Sequence, residues 1–302
     1  MKMKTVFKAV YLPENKGHGN ASREALKRCA YNLAARMDAD DISAPYRFQK
    51  QLELFQKDPD IDVAGGSITE FIGTPDNITG ERAVKETDEA IKADMKKRCP
   101  VNHVTAMYKR DAVEASGGYL DWYCDEDYYL WVRMAERGCK FANLPYPLVN
   151  VRTGADMSAR RGGWKYFKSE WKLQKYMLEH GLIRMPRYLY NVAVRFGGEV
   201  LASNAIRSLL FKLVRKKFDP SAAPAFSAPE TEYPPFSVIM SVYAKDDPAH
   251  FDTALESVLT RQTVPPSELV LVVDGPVPET LQAVIDKYAG LCESDKPKVS
   301  LP

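Results

Sequence analysis

Ala35-Arg36-Met37-Asp38-Ala39-Asp40-Asp41 is the stretch on which the reading of this chain turns. An apolar run leads into three acids spaced Asp-x-Asp-Asp, so a buried strand ends where carboxylates gather. Carboxylates one residue apart at such an end can grip a divalent cation, and hard cations such as Mg2+ or Mn2+ prefer oxygen donors. A calcium loop fits poorly: the sixth position from Asp38 is Ser43 rather than Gly, and the twelfth is Gln49 rather than Glu. The plain alternative is a helix cap, with Asp41 or Ser43 leading into a helix after Pro45.

Working outward, residues 5–12 are β-rich and stop at the turn Pro13-Glu14-Asn15-Lys16-Gly17. Ser22 stands where it can cap a helix whose apolar stripe is Ala25, Leu26, Cys29, Ala30 and Leu33. After the acidic run the pattern predicts a helix over 46–56, then a strand over 62–71, with Gly65-Gly66 marking a close approach. A charged helix over 86–97, a strand over 101–108, a helix over 125–137 and a strand over 141–151 complete this part. Alternation of this kind indicates a layered α/β domain.

Residues 164–179 and 189–218 read as helices rich in aromatic and basic side chains. The 204–218 portion is amphipathic and ends in a cationic cluster, which suits an anionic membrane surface or docking on the domain itself. Residues 219–235 are dense in Pro, Ala and Ser and read as a linker. Beyond it come a strand over 236–243, a helix over 251–262, a strand over 269–273 stopped by Asp274-Gly275-Pro276, and a helix over 281–288. The last residues, Lys298-Val-Ser-Leu-Pro302, resemble Lys8-Ala-Val-Tyr-Leu-Pro13.

At 302 residues and 45% hydrophobic, the chain can bury one large core or two small ones. A net charge of +2 argues against nucleic acid as the main partner. Five scattered cysteines without a CxxC argue against a zinc site or disulfide framework and fit a reducing compartment. No run approaches the ~20 apolar residues of a membrane span. The basic start Met1-Lys2-Met3-Lys4 lacks the apolar run of a signal peptide. The expectation is a cytoplasmic chain, with the 204–218 helix able to hold it to the inner face of the membrane.

Placed tail first, the segments Phe236-Ser-Val-Ile-Met-Ser-Val-Tyr243, Ala254 to Thr263 and Leu271-Val-Val-Asp-Gly-Pro276 lead into Leu12 to Gly17, Ala35 to Ser43 and Pro45 to Gln51. Gly117-Gly-Tyr119 and Glu126-Asp-Tyr-Tyr-Leu-Trp-Val-Arg133 follow. In that order the chain resembles the family-2 inverting glycosyltransferases of the GT-A fold, in particular the bacterial capsular and exopolysaccharide enzymes of the amylovoran type. The resemblance implies a mixed, mostly parallel Rossmann-like sheet flanked by helices and circularly permuted. Residues 1–218 would carry the metal motif, catalytic base and trailing helices. Residues 219–235 would link them to 236–302, the nucleoside-binding part of the same sheet. A domain-swapped dimer, or a slice across two tandem transferases, would give the same order.

The resemblance also implies roles. Asp40 would ligate Mn2+ or Mg2+ against the diphosphate of a nucleotide-sugar donor, with Asp38 on the metal shell or ribose and Asp41 orienting the loop. Asp127 matches the general base, and Glu126 would help orient a glycan or lipid-linked glycan acceptor; service to the helix dipole is the alternative for both. Ser241 and Tyr243 match nucleoside contacts. Asp274 stands where the nucleobase is read, although Val273 replaces the first acid of the family's usual pair and a turn aspartate would look the same. Arg23 matches an arginine near the nucleotide. His103, Arg152 and Arg161 are candidates for the acceptor or its phosphates. The implied activity is sugar transfer from a UDP-sugar in polysaccharide biosynthesis. Its rivals are a nucleotide-diphosphate hydrolase or nucleotidyltransferase, for which Lys245 is the nearby cation, and an inactive nucleotide-sugar-binding scaffold with a split fold.

Overall fold

The protein is described from a computed structural model, which covers residues 3–154, 162–203, 232–294 and 299–300, with 215, 217, 219 and 223–225. The head of the chain runs β1 (Met3–Tyr11), α1 (His18–Leu26), β2 (Leu33–Asp38), β3 (Ile42–Ser43), α2 (Arg47–Lys57), β4 (Ile61–Phe71) and β5 (Ile78–Arg82). It continues through α3 (Asp88–Met95), a 3-10 turn (His103–Thr105), β6 (Met107–Lys109), α4 (Arg110–Ala115), α5 (Glu126–Glu136) and β7 (Lys140–Arg152). Two helices follow, α6 (Trp164–Glu179) and α7 (Met185–Arg195), with a π-helical turn over Phe196–Leu201. The tail supplies β8 (Phe236–Val242), α8 (Pro248–Leu259), β9 (Glu268–Val273), α9 (Glu279–Leu291), β10 (Cys292–Ser294) and β11 (Val299–Ser300).

Head and tail share one sheet. Its order is β10-β1-β9-β8-β2-β6-β4-β7-β3, with β11 beside β1 and β5 beside β4. β9, Glu-Leu-Val-Leu-Val-Val, is buried throughout and β-branched at alternate positions, as a central parallel strand covered on both faces must be. It pairs in parallel with β1 (Val10 opposite Val272) and with β8 (Met240 opposite Leu271). β8 pairs in parallel with β2, placing Ser241 opposite Asp38. Antiparallel pairs enter at β6 and at the β5 and β3 edges, so the sheet is mixed. β11 lies in parallel beside β1, Val299 opposite Val10, so the repeated segment rests against the strand it resembles.

Polar ties fix the tail strands in the head's sheet. The buried Glu268 carboxylate pairs with Lys8 and accepts hydrogen bonds from Ser237 Oγ (2.6 Å) and the Ala30 N–H (2.9 Å). Thr5 Oγ1 donates to the Pro266 carbonyl at 2.7 Å, and Ser43 N–H donates to Ser257 Oγ at 3.0 Å. One face of the sheet packs Phe48, Leu52 and Phe236 against Phe251 and Leu255; the other gathers Trp131, Tyr108, Tyr128 and Leu173.

Several local expectations shift. α1 begins at His18 behind Gly17, and Ser22 is buried within the helix rather than capping it. That helix ends at Leu26, so Ala30 lies in the connection and Leu33 opens β2. The expected 101–108 strand is mostly a 3-10 turn, with only Met107–Lys109 extended, because Thr105 turns its hydroxyl back to the Asn102 carbonyl. The short β5 hairpin strand was not foreseen; Thr-Gly-Glu carries no apolar alternation. Gly65 and Gly66 are close approaches: a Cβ at Gly65 would collide with Asn143, and one at Gly66 would lie 2.6 Å from Leu148 Cδ1. The 204–218 helix and the 219–235 linker lie almost wholly outside the described residues.

Candidate active site

β1, β9, β8 and β2 run parallel and end at one edge, where loops 12–17, 274–278, 243–247 and 39–41 meet. The crevice outside the carboxyl ends of such strands is where open α/β sheets bind ligands. α5 completes it from the side. A Cβ at Gly19 would sit 3.4 Å from Glu126 Cβ, so the first turn of α1 lies directly against the first turn of α5.

Asp38 ends β2 and is clamped by Arg36, two residues back on the same strand, with one N–H donated at 2.6 Å. Arg36 is buried, and its guanidinium also reaches His18 Nδ1 at 3.5 Å. Burial works against its charge, but Asp38 more than compensates and raises its pKa. Burial, and then the charge of Asp38, raises the Asp40 carboxyl above the usual carboxylate range. Asp41 is raised further by burial and both acids, although its Oδ1 accepts the Arg152 N–H at 2.8 Å. Arg152 braces the acidic loop from β7: its Nε donates to the Asp40 carbonyl (3.2 Å), its Nη1 to the Gly73 carbonyl (2.8 Å), and its guanidinium sits over Phe71.

Glu126 and Asp127 occupy the first turn of α5. Burial and then Asp127 push Glu126 up to about 7, with the Asp38 charge contributing. Burial also raises Asp127, against the Tyr128 N–H and the Cys99 thiol, which donates to its Oδ2 at 3.5 Å. Asp125, just ahead of them, is buried and raised well above the carboxylate range by burial and Glu170; Tyr166 OH approaches its Oδ1 at 3.5 Å. Its partner Tyr166 lies on α6, and the charges of Asp127 and Glu126 add to the upward shift.

The nucleoside candidates lie opposite. Ser241 is the register partner of Asp38, and the Tyr243 N–H donates to Asp246 at 2.9 Å. Asp274, buried, spends its carboxylate on the β1–α1 turn, accepting from Lys16 N–H (2.7 Å) and Gly17 N–H (3.0 Å). Gly275 makes this close approach feasible: its φ is +85°, and a Cβ would lie 2.8 Å from Asn15 N. Arg23, half-buried on α1, donates to Asn20 Oδ1 at 2.7 Å. His103 is tied to Tyr119 OH at 2.8 Å, and Tyr119 continues to Tyr108 OH at 3.2 Å. Burial, Arg36 and His18 hold the His103 imidazole well below its ordinary pKa, which keeps it neutral. Arg161 lies outside the described residues.

Three groups escaped the sequence reading. Arg36 is the hub of the cleft's charges; its signal was a cation two residues before Asp38, on the same strand face. Arg47, fully buried, donates to the Arg36 carbonyl at 2.7 Å and to Gln51 and Met37, and burial lowers it to about 9. Asp246 is pushed up to about 7 by burial, with Asp40 and Asp38 adding their charge, which brings a third carboxylate from the tail toward the acidic loop.

These acids suit a hard divalent cation. Asp38, half-buried, and Asp40, exposed two residues on, repel one another, and a cation would relieve that repulsion. Among the described residues no group of three His, Cys, Asp or Glu side chains is arranged to hold an ion alone. The chain would therefore supply part of the coordination sphere, with ligand oxygens and water supplying the rest.

The mixed sheet, flanking helices and strand-end cleft define a GT-A-like architecture. A model of glycosyl transferase family 2 matches residues 2–117. An uncharacterized glycosyltransferase of Haemophilus influenzae is 38% identical over 213 residues, which cover 70% of this chain and 79% of that one. The amylovoran biosynthesis glycosyltransferase AmsE of Erwinia amylovora is 37% identical over 185 residues, 59% of this chain and 68% of that one. The UDP-Gal:alpha-D-GlcNAc-diphosphoundecaprenol beta-1,3-galactosyltransferase of Escherichia coli is 30% identical over 207 residues, 68% and 74% of the two chains. The chain belongs to glycosyl transferase family 2. Its chemistry is glycosyl transfer, and among its relatives are transferases of polysaccharide and O-antigen biosynthesis. Among the described residues, no helix is long and apolar enough to cross a membrane.

Proposed function

We propose that this protein transfers a sugar from a UDP-sugar to a lipid-linked glycan acceptor, with inversion, in a cleft built jointly by the two ends of the chain. The observation that carries the reading is the β2–β8 register, in which Ser241 of the tail stands opposite Asp38 of the head. Ser241 and Tyr243 hold the nucleoside, and Arg23 and Arg152 serve the phosphates. Asp38 and Asp40 would hold Mn2+ or Mg2+, which would supply positive charge against the diphosphate. Asp127 takes the proton of the acceptor hydroxyl as that oxygen bonds to the anomeric carbon and the bond from carbon to the diphosphate oxygen breaks, releasing UDP. Glu126, beside it, positions the acceptor. Asp274 serves the nucleotide indirectly by setting the 15–17 turn. The donor assignment draws support from the name of the Escherichia coli relative, which specifies UDP-Gal and a diphosphoundecaprenol-linked sugar.

The order of the parts follows the same reading. Residues 1–218 and 236–302 form one circularly permuted domain joined by 219–235. The parallel insertion of β8 and β9 between β1 and β2 supports this.

UDP release across a panel of UDP-sugars and acceptors tests the proposal. Wild-type protein should release UDP with Mn2+ and cease with a chelator, and Asp40→Asn should lower the rate at least ~100-fold. Absence of metal-dependent release with every donor and acceptor would instead favour a nucleotide-sugar-binding scaffold.

A further inference from the structure

Apolar surface is unevenly placed on this molecule. Of the eleven large hydrophobic side chains exposed among the described residues, seven fall between Trp164 and Leu201. α7 is packed inside out. Toward α6 it presents Asn191, which donates to Gln174 Oε1 (2.7 Å) and the Lys96 carbonyl (2.8 Å), and Arg195, paired with Glu170 at 2.6 Å. Away from α6 it presents Met185, Leu189, Tyr190 and Val194, each more than half exposed, with Leu201 exposed at 71% just beyond. On α6, Trp164, Lys168, Trp171 and Lys175 recur at helical spacing and are all exposed.

Charge follows the same surface. Between residues 164 and 199 there are seven Lys and Arg against three Glu, on a chain whose net charge is +2. A groove of about 390 Å³ beside the apolar stripe is lined by Lys97, Arg187, Tyr190, Asn191, Val194 and Arg195. Outward Leu, Met and Val beside Trp, Tyr, Lys and Arg match the water–lipid boundary, where rings sit at headgroup level and cations meet anionic phosphates.

We propose that the outward face of α6 and α7 is a docking surface for an anionic lipid bilayer, with the Lys97–Arg187 groove taking a lipid phosphate. The location gives it a use. On its other side α6 touches the segment that opens α5: Ser169 Oγ donates to the Tyr123 carbonyl at 2.6 Å, and Tyr166 OH approaches Asp125. Docking here brings Glu126 and Asp127 near the bilayer, where a lipid-linked sugar is presented. In that purpose the inference rests on the acceptor proposed above. Vesicle binding needs neither donor nor acceptor, so the two readings fail separately.

The experiment is co-sedimentation of the full chain with vesicles of phosphatidylcholine alone or with about 30% phosphatidylglycerol, at about 0.1 M and about 0.5 M NaCl. Wild type should partition onto the anionic vesicles at least ~10-fold more strongly than onto the neutral ones, and less at high salt. L189E/V194E should lose at least ~10-fold in partition, and K97Q/R187Q about fivefold per charge. Asp40→Asn should bind like wild type, since the metal motif is not part of this face. Equal binding by wild type and both double variants would overturn the proposal, as would failure of wild type to bind anionic vesicles. So would a wild-type dimer that L189E/V194E turns into a monomer, since the face would then join two copies. A loss of melting temperature in L189E/V194E without lipid would show that the stripe is packed within the chain, and would equally overturn it.

Discussion

Asp274 and Asp40 both follow the end of a central parallel strand, and their surroundings differ sharply. Asp274 receives two backbone N–H groups from the β1–α1 turn, so its carboxylate is satisfied by the fold itself. Asp40, exposed at the surface of the cleft, has no such backbone donors from another loop among the described residues, and lost hydration and the like charge of Asp38 raise its pKa. Glu126 and Asp127 are likewise raised across the cleft. In the function proposed above, the first acid holds the architecture and the others meet a ligand from outside the chain. Raised carboxyls clustered in a cleft are costly to maintain and mark a site.

The sharpest way to break the comparison is to neutralise one acid of each kind. Asp127→Asn should cut turnover by about 1,000-fold, read as UDP release, while the melting temperature holds or rises, because a half-buried carboxylate with a raised pKa is removed. Retained turnover would remove Asp127 from the chemistry. Asp274→Ala should act on stability first, costing about 3 kcal/mol in urea unfolding as two charge-assisted hydrogen bonds are lost. Gly275→Ala sharpens the same point through the backbone. With φ at +85° and Asn15 N only 2.8 Å from the added Cβ, a loss of about 1–3 kcal/mol is expected on the same measurement.

The smallest effect is a pH dependence. Glu126 and Asp246 have folded pKa values of about 7, above their ordinary 4.5 and 3.8. The folded state therefore binds more protons than the unfolded state between those values, and the stability this lends is present at low pH and lost as pH rises through about 7. Glu126→Gln should match wild type in melting temperature near pH 4 and exceed it by a few degrees near pH 8. A constant difference across pH would assign Glu126 an ordinary, solvated carboxylate.

Much of this was legible in the chain. The apolar run into Asp38, the Asp-Glu-Asp start of α5 and the β-branched 269–273 stretch each showed their element type through composition and position. Placing the tail strands between β1 and β2 depended on motif order, because periodicity carries no information about distant partners. Boundaries failed where local hydrogen bonding overrode pattern, as at Thr105, or where a strand was polar, as in β5. The roles of Arg36 and Arg47 were hidden for a different reason. Both charges are buried against backbone and side-chain acceptors that only the folded sheet brings together, Asp38 for the first and the Arg36 carbonyl for the second. His103, half-buried, is tied to Tyr119, a partnership that composition and spacing could not show.

The most direct test of a cleft shared by both ends is a crystal structure of the full chain with UDP and Mn2+. The account predicts uridine beside Ser241 and Tyr243, with the cation between the diphosphate and the Asp38–Asp40 pair. Uridine bound elsewhere, or tail strands folded apart from the sheet that carries Asp38, would contradict it.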